Sequence, residues 1–385
     1  MNSDGRSAKY VVYAVAFVLF HRKVASFLRH ELPIRLAHRI EDLDQVPMMR
    51  EMPSVQAVKA IYINSMLELI DFEEHITSPS LEEKFAALLE TLYHNHGDVL
   101  MQMAQGAYEL RHQVRLGNVK GRTTREGVVE AFSKMDECHK FLDRFYHSRV
   151  GIRVIAGQYL ALRDQKTRGT MTMSTGQKQH HQDPSLPSSE RRYVGMICLD
   201  TSPFEIVRHA AEDATELCLK KYGHAPEVVI TGRLDLTFPY FPTHLHYMLL
   251  ELLKNALRAT MDHHYKNEDS ELPPVTVIIA DGTENEDVVI KIVDEGGGIP
   301  RSQVDNIWSY LFTTADSNVQ ETMIAGGDGH VQPAAPMAGL GFGLPMSRAY
   351  ARYFRGELDV ISMEGYGTDA FLYLARLGDK EPLPV

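Results

Sequence analysis

The chain changes its hydrophobic period once, near residues 166–192, and that change most constrains what it can fold into. From Val24 to about Asp164 apolar residues recur at three and four positions, as in Val55, Val58, Ile61, Tyr62, Ser65, Met66 and Leu69. That spacing marks one face of a helix. Further helical stretches cover Leu81 to Tyr93, Arg125 to Tyr146 and Arg149 to Leu162. Several long helices with short links and no strand pattern predict an up-and-down bundle. Lys166 to Arg192 is rich in Ser, Thr, Gln, Pro and His, which predicts a linker or surface insertion. Beyond Tyr193 a helix over Pro203 to Tyr222 precedes short β-branched runs at Glu227–Thr231, Val275–Ala280, Val288–Val293, Leu358–Met363 and Ala370–Ala375. Helices at Leu245 to His264 and near Gly343 to Tyr353 separate those runs. Strands mixed with helices predict an α/β sandwich, helices covering one face of a mixed sheet.

Length and composition narrow the function. With 385 residues and 44% apolar content, the chain has material for two modest cores. A net charge of −11, with Lys and Arg dispersed, argues against a nucleic-acid partner, which calls for a basic footprint. Cys138, Cys198 and Cys218 lie far apart and make no CxxC pair, so neither a zinc site nor a disulfide framework is expected. The 18 histidines include no HExxH or comparable ligand spacing. Tyr10 to Phe20 is an apolar run of 11 residues, short of the roughly 20 that span a bilayer. Five basic residues and one acid occupy the first 30 positions, compatible with a mitochondrial transit segment; the unbroken apolar run also fits a secretory leader.

Four segments carry chemistry. Glu251 and Asn255 stand four apart on a helix and share a face, with Arg258 on the neighbouring turn. A carboxylate and an amide oxygen on one face suit Mg²⁺, although such a pair is equally a solvated polar stripe. Asp294-Glu-Gly-Gly-Gly298 follows an apolar strand, so a carboxylate at the strand end meets backbone that a ligand can approach closely. Gly339-Leu340-Gly341-Phe342-Gly343-Leu344 opens a helix, where backbone N–H groups bind anions. Its GxGxG spacing is neither the Rossmann pattern nor a Walker A loop. Gly365-Tyr-Gly-Thr368 lies between the last two strands and, alone, reads as a hairpin turn.

In this order, the four resemble the N, G1, G2 and G3 boxes of the GHKL superfamily, which includes gyrase, heat-shock protein 90 and the histidine kinases. Finer text resembles the mitochondrial pyruvate dehydrogenase kinases: Phe238-Pro-Tyr-Phe-Pro-Thr-His-Leu-His246, Tyr310-Leu-Phe-Thr-Thr-Ala315, Tyr350-Ala-Arg-Tyr-Phe354 and Ile361-Ser-Met-Glu-Gly-Tyr-Gly-Thr-Asp-Ala370. The helical half agrees in Phe27-Leu-Arg-His-Glu-Leu-Pro-Ile-Arg-Leu-Ala37, Met103-Ala-Gln-Gly106 and Phe141-Leu-Asp-Arg-Phe-Tyr146. The resemblance spans about residues 25–380, apart from 166–192.

The resemblance implies a two-domain α+β protein: a leader over 1–24, a helical bundle over 25–165, a linker over 166–192 and a GHKL (Bergerat-fold) ATP-binding kinase domain over 193–380. It implies a serine kinase of the mitochondrial matrix using ATP and Mg²⁺. Asn255 would hold Mg²⁺, and Asp294 would contact the adenine amino group, with Thr368 nearby and Gly296 and Gly298 bordering the nucleotide. Thr313, Thr314 and the 339–344 loop would meet ribose and phosphates, under a lid from about Ala315 to Ala338. Glu251 would be the general base, Lys254 and Arg258 would neutralise charge, and His96 would orient Glu251. Tyr62, Ser65, Arg149 and Arg153 match an allosteric pocket for a small carboxylate such as pyruvate. The implied partners are the E1α subunit as substrate, the E2 lipoyl domain and a second copy in a homodimer, without nucleic acid or a membrane span. Departures are Tyr159 where animal members usually have histidine, a leader that matches nothing, and no long tail after the last strand. The last leaves the strength of lipoyl-domain docking open. The rivals are a branched-chain α-ketoacid dehydrogenase kinase, a GHKL ATPase, a protein-histidine kinase and a binding-only pseudokinase. The presence of Glu251, Asn255 and Asp294 argues against the last.

Overall fold

The computed structural model describes residues 4–115, 135–171, 192–264, 271–282, 287–312 and 341–376. Thr313, Thr314, Gly339, Leu340, the expected 315–338 lid and most of the 166–192 insertion lie outside them. Contacts divide the chain into two compact units, Met1–Arg122 with Arg144–Lys178 and Thr123–Asp143 with Gln179–Val385.

The first unit is helical. α1 (Asp4–Gln45), α2 (Pro53–Asp71), α3 (Pro79–Asn95) and α4 (Val99–Arg115) pack with α5 (Asp136–Met171), which belongs to this unit from Arg144 onward. The 3.6-residue period does what it predicts on α2, burying Val55, Val58, Tyr62, Ser65 and Leu69 along one stripe. Ser78 caps α3 by accepting from the Leu81 N–H at 3.2 Å, and Pro79 occupies the first turn, where its missing N–H costs nothing. Helix α1 runs unbroken from Asp4 through residues 4–24, and α5 continues through 146–149 and on to Met171, past the expected start of the linker. Nothing in His147-Ser148 breaks a helix. Among the described residues no helix is long and apolar enough to cross a membrane.

The second unit is the α/β sandwich. β3 (Val228–Gly232), β5 (Val275–Asp281), β6 (Asp287–Asp294), β8 (Gly367–Ala375) and β7 (Glu357–Met363) form one sheet in the order β3-β5-β6-β8-β7. Among the described residues only the β3–β5 pairing is parallel. A smaller antiparallel sheet joins β1 (Tyr193–Val194), β2 (Ile197–Thr201) and β4 (Phe238–Tyr240). Helices α6 (Pro203–Tyr222), α7 (Pro242–His264) and α8 (Gly343–Tyr353) cover one face of the large sheet. Along β6 the period of two buries Val288, Ile290 and Ile292 against them while Val289, Lys291 and Val293 stay partly exposed. The next inward position is Asp294. The alternation that builds the core therefore delivers a carboxylate to the covered face.

Candidate nucleotide site

Helix α7 and the end of β6 bound a cavity of about 470 Å³ in the second unit. Glu251, Asn255 and Arg258 line it from α7, Asp294, Gly296 and Gly298 from the turn after β6, and Thr368 from β8. Gly341, Gly343 and Leu344 contribute the start of α8. These are the residues that the four sequence segments single out, and the fold gathers them around one space.

Local physics explains the arrangement. Asp294 pairs in register with Thr368, so the strand end carries an acid opposite a hydroxyl. Its Oδ1 accepts the Gly296 N–H at 2.9 Å. Burial pushes the carboxyl up to about 6, although the N–H groups of Gly296 and Thr368 pull the other way. Gly298 has φ 68°, and a Cβ there would stand 2.1 Å from the Met363 carbonyl oxygen, so only glycine fits this turn. A Cβ on Gly343 would meet Glu251 Oε2 at 2.5 Å, which shows how closely the helix start approaches that carboxylate. The wall next to Thr368 is held by Ser362, whose Oγ accepts from the Ile299 N–H at 2.7 Å and lies 3.0 Å from Thr368 Oγ1.

Lys254 is only 4% exposed, and its Nζ lies 2.7 Å from Glu251 Oε1, so it backs Glu251 instead of lining the cavity. Phe342 is also buried behind the wall, packed on Tyr310 at a ring separation of 5.1 Å. Positions that sequence reading passed over include Ala259, Asp262, His263, Ile299, Gln303, Ile307 and Phe312. Ala259, Asp262 and His263 lie four, seven and eight places after Asn255 and share its helix face.

The donor set fits a magnesium nucleotide. Asp294 offers a recessed oxygen that would suit an amino group, the glycines leave room that phosphates would need beside backbone, and the Glu251 and Asn255 oxygens would suit a hard cation. An ionised Asp294 is the better acceptor, and its carboxyl ionises near pH 6 in the free protein. ATP affinity should therefore be flat above about pH 6 and fall below it, about tenfold weaker at pH 5 than at pH 7. Calorimetry across that range, with Asp294→Asn as the comparison lacking this step, checks the expectation. The same raised value makes Asp294 a weak liability to the free fold, whose stability should decline as pH rises from about 4 to 6.

The remaining predicted residues sit in the helical unit. Tyr62, Ser65, His96, Arg149 and Arg153 line a small cavity of about 40 Å³. Arg149 Nη2 donates to the carbonyl oxygens of His96 at 2.7 Å and Gly97 at 3.2 Å. Arg153 Nη1 donates to the Tyr93 carbonyl at 3.1 Å, its guanidinium 3.9 Å from that ring's centre. Both cations thus serve the C-terminal end of α3. His96 Nε2 lies 2.8 Å from Ser65 Oγ, and burial followed by the two arginines lowers its pKa to about 4. Its imidazole is neutral at pH 7. Burial likewise pushes Tyr62 up to about 12.

Comparison with known proteins finds relatives along most of the chain. Residues 19–198 match the family described as mitochondrial branched-chain alpha-ketoacid dehydrogenase kinase. Residues 241–377 match the histidine kinase-, DNA gyrase B- and HSP90-like ATPase family. A mitochondrial pyruvate dehydrogenase (acetyl-transferring) kinase of Arabidopsis thaliana is 41% identical, over 94% of this chain and 87% of the relative. Its Schizosaccharomyces pombe counterpart is 34% identical over 93% of this chain and 89% of the relative. Isozyme 1 of Homo sapiens is 34% identical over 93% and 74%. With a histidine kinase-, DNA gyrase B- and HSP90-like ATPase domain over 241–377 and at least 34% identity to these kinases across 93–94% of its length, the chain belongs to the mitochondrial pyruvate dehydrogenase kinase family.

Proposed function

We propose that this protein is an ATP-dependent serine kinase that phosphorylates, and so inactivates, the E1α subunit of the pyruvate dehydrogenase complex in the mitochondrial matrix. The observation that carries the proposal is Glu251, a carboxylate in the same cavity as Asn255 and Asp294. Asp294, beside Thr368, accepts the adenine amino group and fixes which way the nucleotide lies. The start of α8 at Gly343 approaches Glu251 closely, so phosphates that meet its backbone N–H groups lie toward that carboxylate. Asn255 would hold Mg²⁺, which supplies charge neutralisation on the phosphates when bound. Glu251 accepts the serine hydroxyl proton as the new Oγ–P bond forms and the bond from the γ-phosphorus to the bridging oxygen breaks, its electron pair leaving with ADP. Lys254 orients Glu251 by its 2.7 Å contact, and Arg258 adds positive charge to the cavity. Thr313, Thr314, Gly339 and Leu340, outside the described residues, belong to the same proposed phosphate- and ribose-binding set.

Regulation and assembly extend this reading. Arg149 and Arg153, already aimed at carbonyl oxygens beside Tyr62 and Ser65, support a pocket where a small carboxylate such as pyruvate inhibits. Ile361, Met363 and Tyr366 are each more than half exposed at one end of the large sheet, which supports a homodimer surface. Phe20, Phe27 and Ile34, spaced by seven along α1 and also more than half exposed, support docking of the E2 lipoyl domain. The second reading is a branched-chain α-ketoacid dehydrogenase kinase, favoured by the family matched over residues 19–198. Incubation with γ-labelled ATP and each purified E1 component decides between them. The expected outcome is label on a serine of pyruvate dehydrogenase E1α. Label on the branched-chain E1 alone would give the second reading, and free phosphate alone would leave an ATPase.

A further inference from the structure

Leu311 is a bulky residue with a positive φ of 64°, and it directly precedes Phe312, which lines the cavity of the second unit. Side chains with a branched or large body avoid this backbone region, and they persist in it only where their surroundings force it. Two contacts do so here. On one side, a Cβ on Gly341 would stand 2.5 Å from the Phe312 carbonyl oxygen and 2.8 Å from the Leu311 carbonyl carbon, so the chain at 341 presses directly on this turn. On the other side is Tyr310, 1% exposed, whose hydroxyl donates to Asp143 Oδ1 at 2.7 Å. The Tyr310 ring stacks on His139 at 6.2 Å and packs on Phe342 at 5.1 Å. Tyr310 is thus tied at both ends, to the first two turns of α5 and to the glycine segment that opens α8.

The residues flanking this strained turn line the cavity. Ile307 and Phe312 line the cavity from its own segment, and Gly341 and Gly343 line it from the segment it presses against. We infer that Tyr310 and Asp143 are positioning residues for ATP: their hydrogen bond holds Leu311 in its strained conformation, and so keeps Phe312 and Gly341 at the cavity surface. Neither residue touches the cavity. Cutting the bond lets Leu311 relax, Phe312 leaves the wall, and the nucleotide loses a packed surface without losing Glu251, Asn255 or Asp294. The effect falls on nucleotide affinity and spares the chemical step. The inference rests on reading the cavity as the ATP site.

Tyr310→Phe removes one hydroxyl from a buried ring, and Asp143→Asn keeps the shape of an exposed side chain, so both variants should fold. In the full-length protein, Mg²⁺-ATP titration and steady-state kinase assays should show KM and Kd for ATP raised about fivefold in either variant, the size of one lost hydrogen bond. kcat should stay within about twofold, and the double variant should be no worse than the poorer single one, because the two act through one bond. Amide exchange in the free protein should quicken at 311–312 and 341–343 in both variants. Wild-type affinity in Tyr310→Phe, or a loss confined to kcat, or independent losses in the double variant, would overturn the inference. Wild-type protein that bound no ATP would instead remove the reading of the cavity.

Discussion

Glu251→Gln should lower phosphoryl transfer about a thousandfold while ATP still binds within a few-fold of wild type. The amide keeps the length and shape of the carboxylate but has no lone-pair basicity to take a proton from a serine hydroxyl. The substitution also removes the partner of Lys254, a buried cation whose Nζ lies 2.7 Å from the carboxylate. An amide oxygen can still accept from that ammonium, so the local packing should survive. A second consequence is a loss of stability, because a buried cation has lost its counter-charge. Transfer assays run beside thermal melts separate the two. Transfer undiminished in Glu251→Gln would refute the base assignment.

Asp294→Ala should weaken ATP binding about a hundredfold, the largest effect expected on affinity. Two losses add. The ligand loses a recessed, charge-bearing acceptor at the floor of the cavity. The Gly296 N–H, which donates to Asp294 Oδ1 at 2.9 Å, loses its partner, and with it the turn that places Gly296 and Gly298 is loosened. The loss should be larger for ATP than for GTP, whose guanine carries a carbonyl oxygen where adenine carries its 6-amino group and so gains nothing from Asp294 in the wild type. Calorimetry with ATP and with GTP measures both. Equal loss for the two nucleotides would mean that Asp294 shapes the turn and does not read the base.

Much of this site was legible because it depends on short-range spacing. Glu251 and Asn255 share a face by helix geometry, and the alternation along Val288 to Val293 puts Asp294 inward whatever surrounds it. Strands β5 to β8 appear within three residues of their expected bounds because β-branched runs outlast local context. The three strands β1, β2 and β4 did not stand out. β1 and β4 have two and three residues, and β4 contains Pro239, which cannot donate to a ladder. The break expected between Tyr146 and Arg149 is absent, since two polar residues do not end a helix whose flanks pack well. Ala259 and His263 lie on the right helix face, but their side chains announce no chemistry. Tyr310 and Leu311 matter through partners 30 or more positions away, and no local pattern carries that information.

Lys254 and Phe342 show the other limit. Both stand in segments that spacing identifies, yet both point away from the cavity and act by supporting what lines it. A motif fixes the backbone path near a ligand. Which side chains turn inward is decided by packing behind that path.

On the proposed function, one cavity in the second unit takes a magnesium nucleotide with its terminal phosphate toward Glu251. A crystal structure with Mg²⁺ and a non-hydrolysable ATP analogue measures this directly. The account predicts the adenine amino group on Asp294, the metal on the Asn255 amide oxygen, and the terminal phosphate next to the Glu251 carboxylate. A nucleotide bound with its base toward Glu251, or bound outside this cavity altogether, would contradict it.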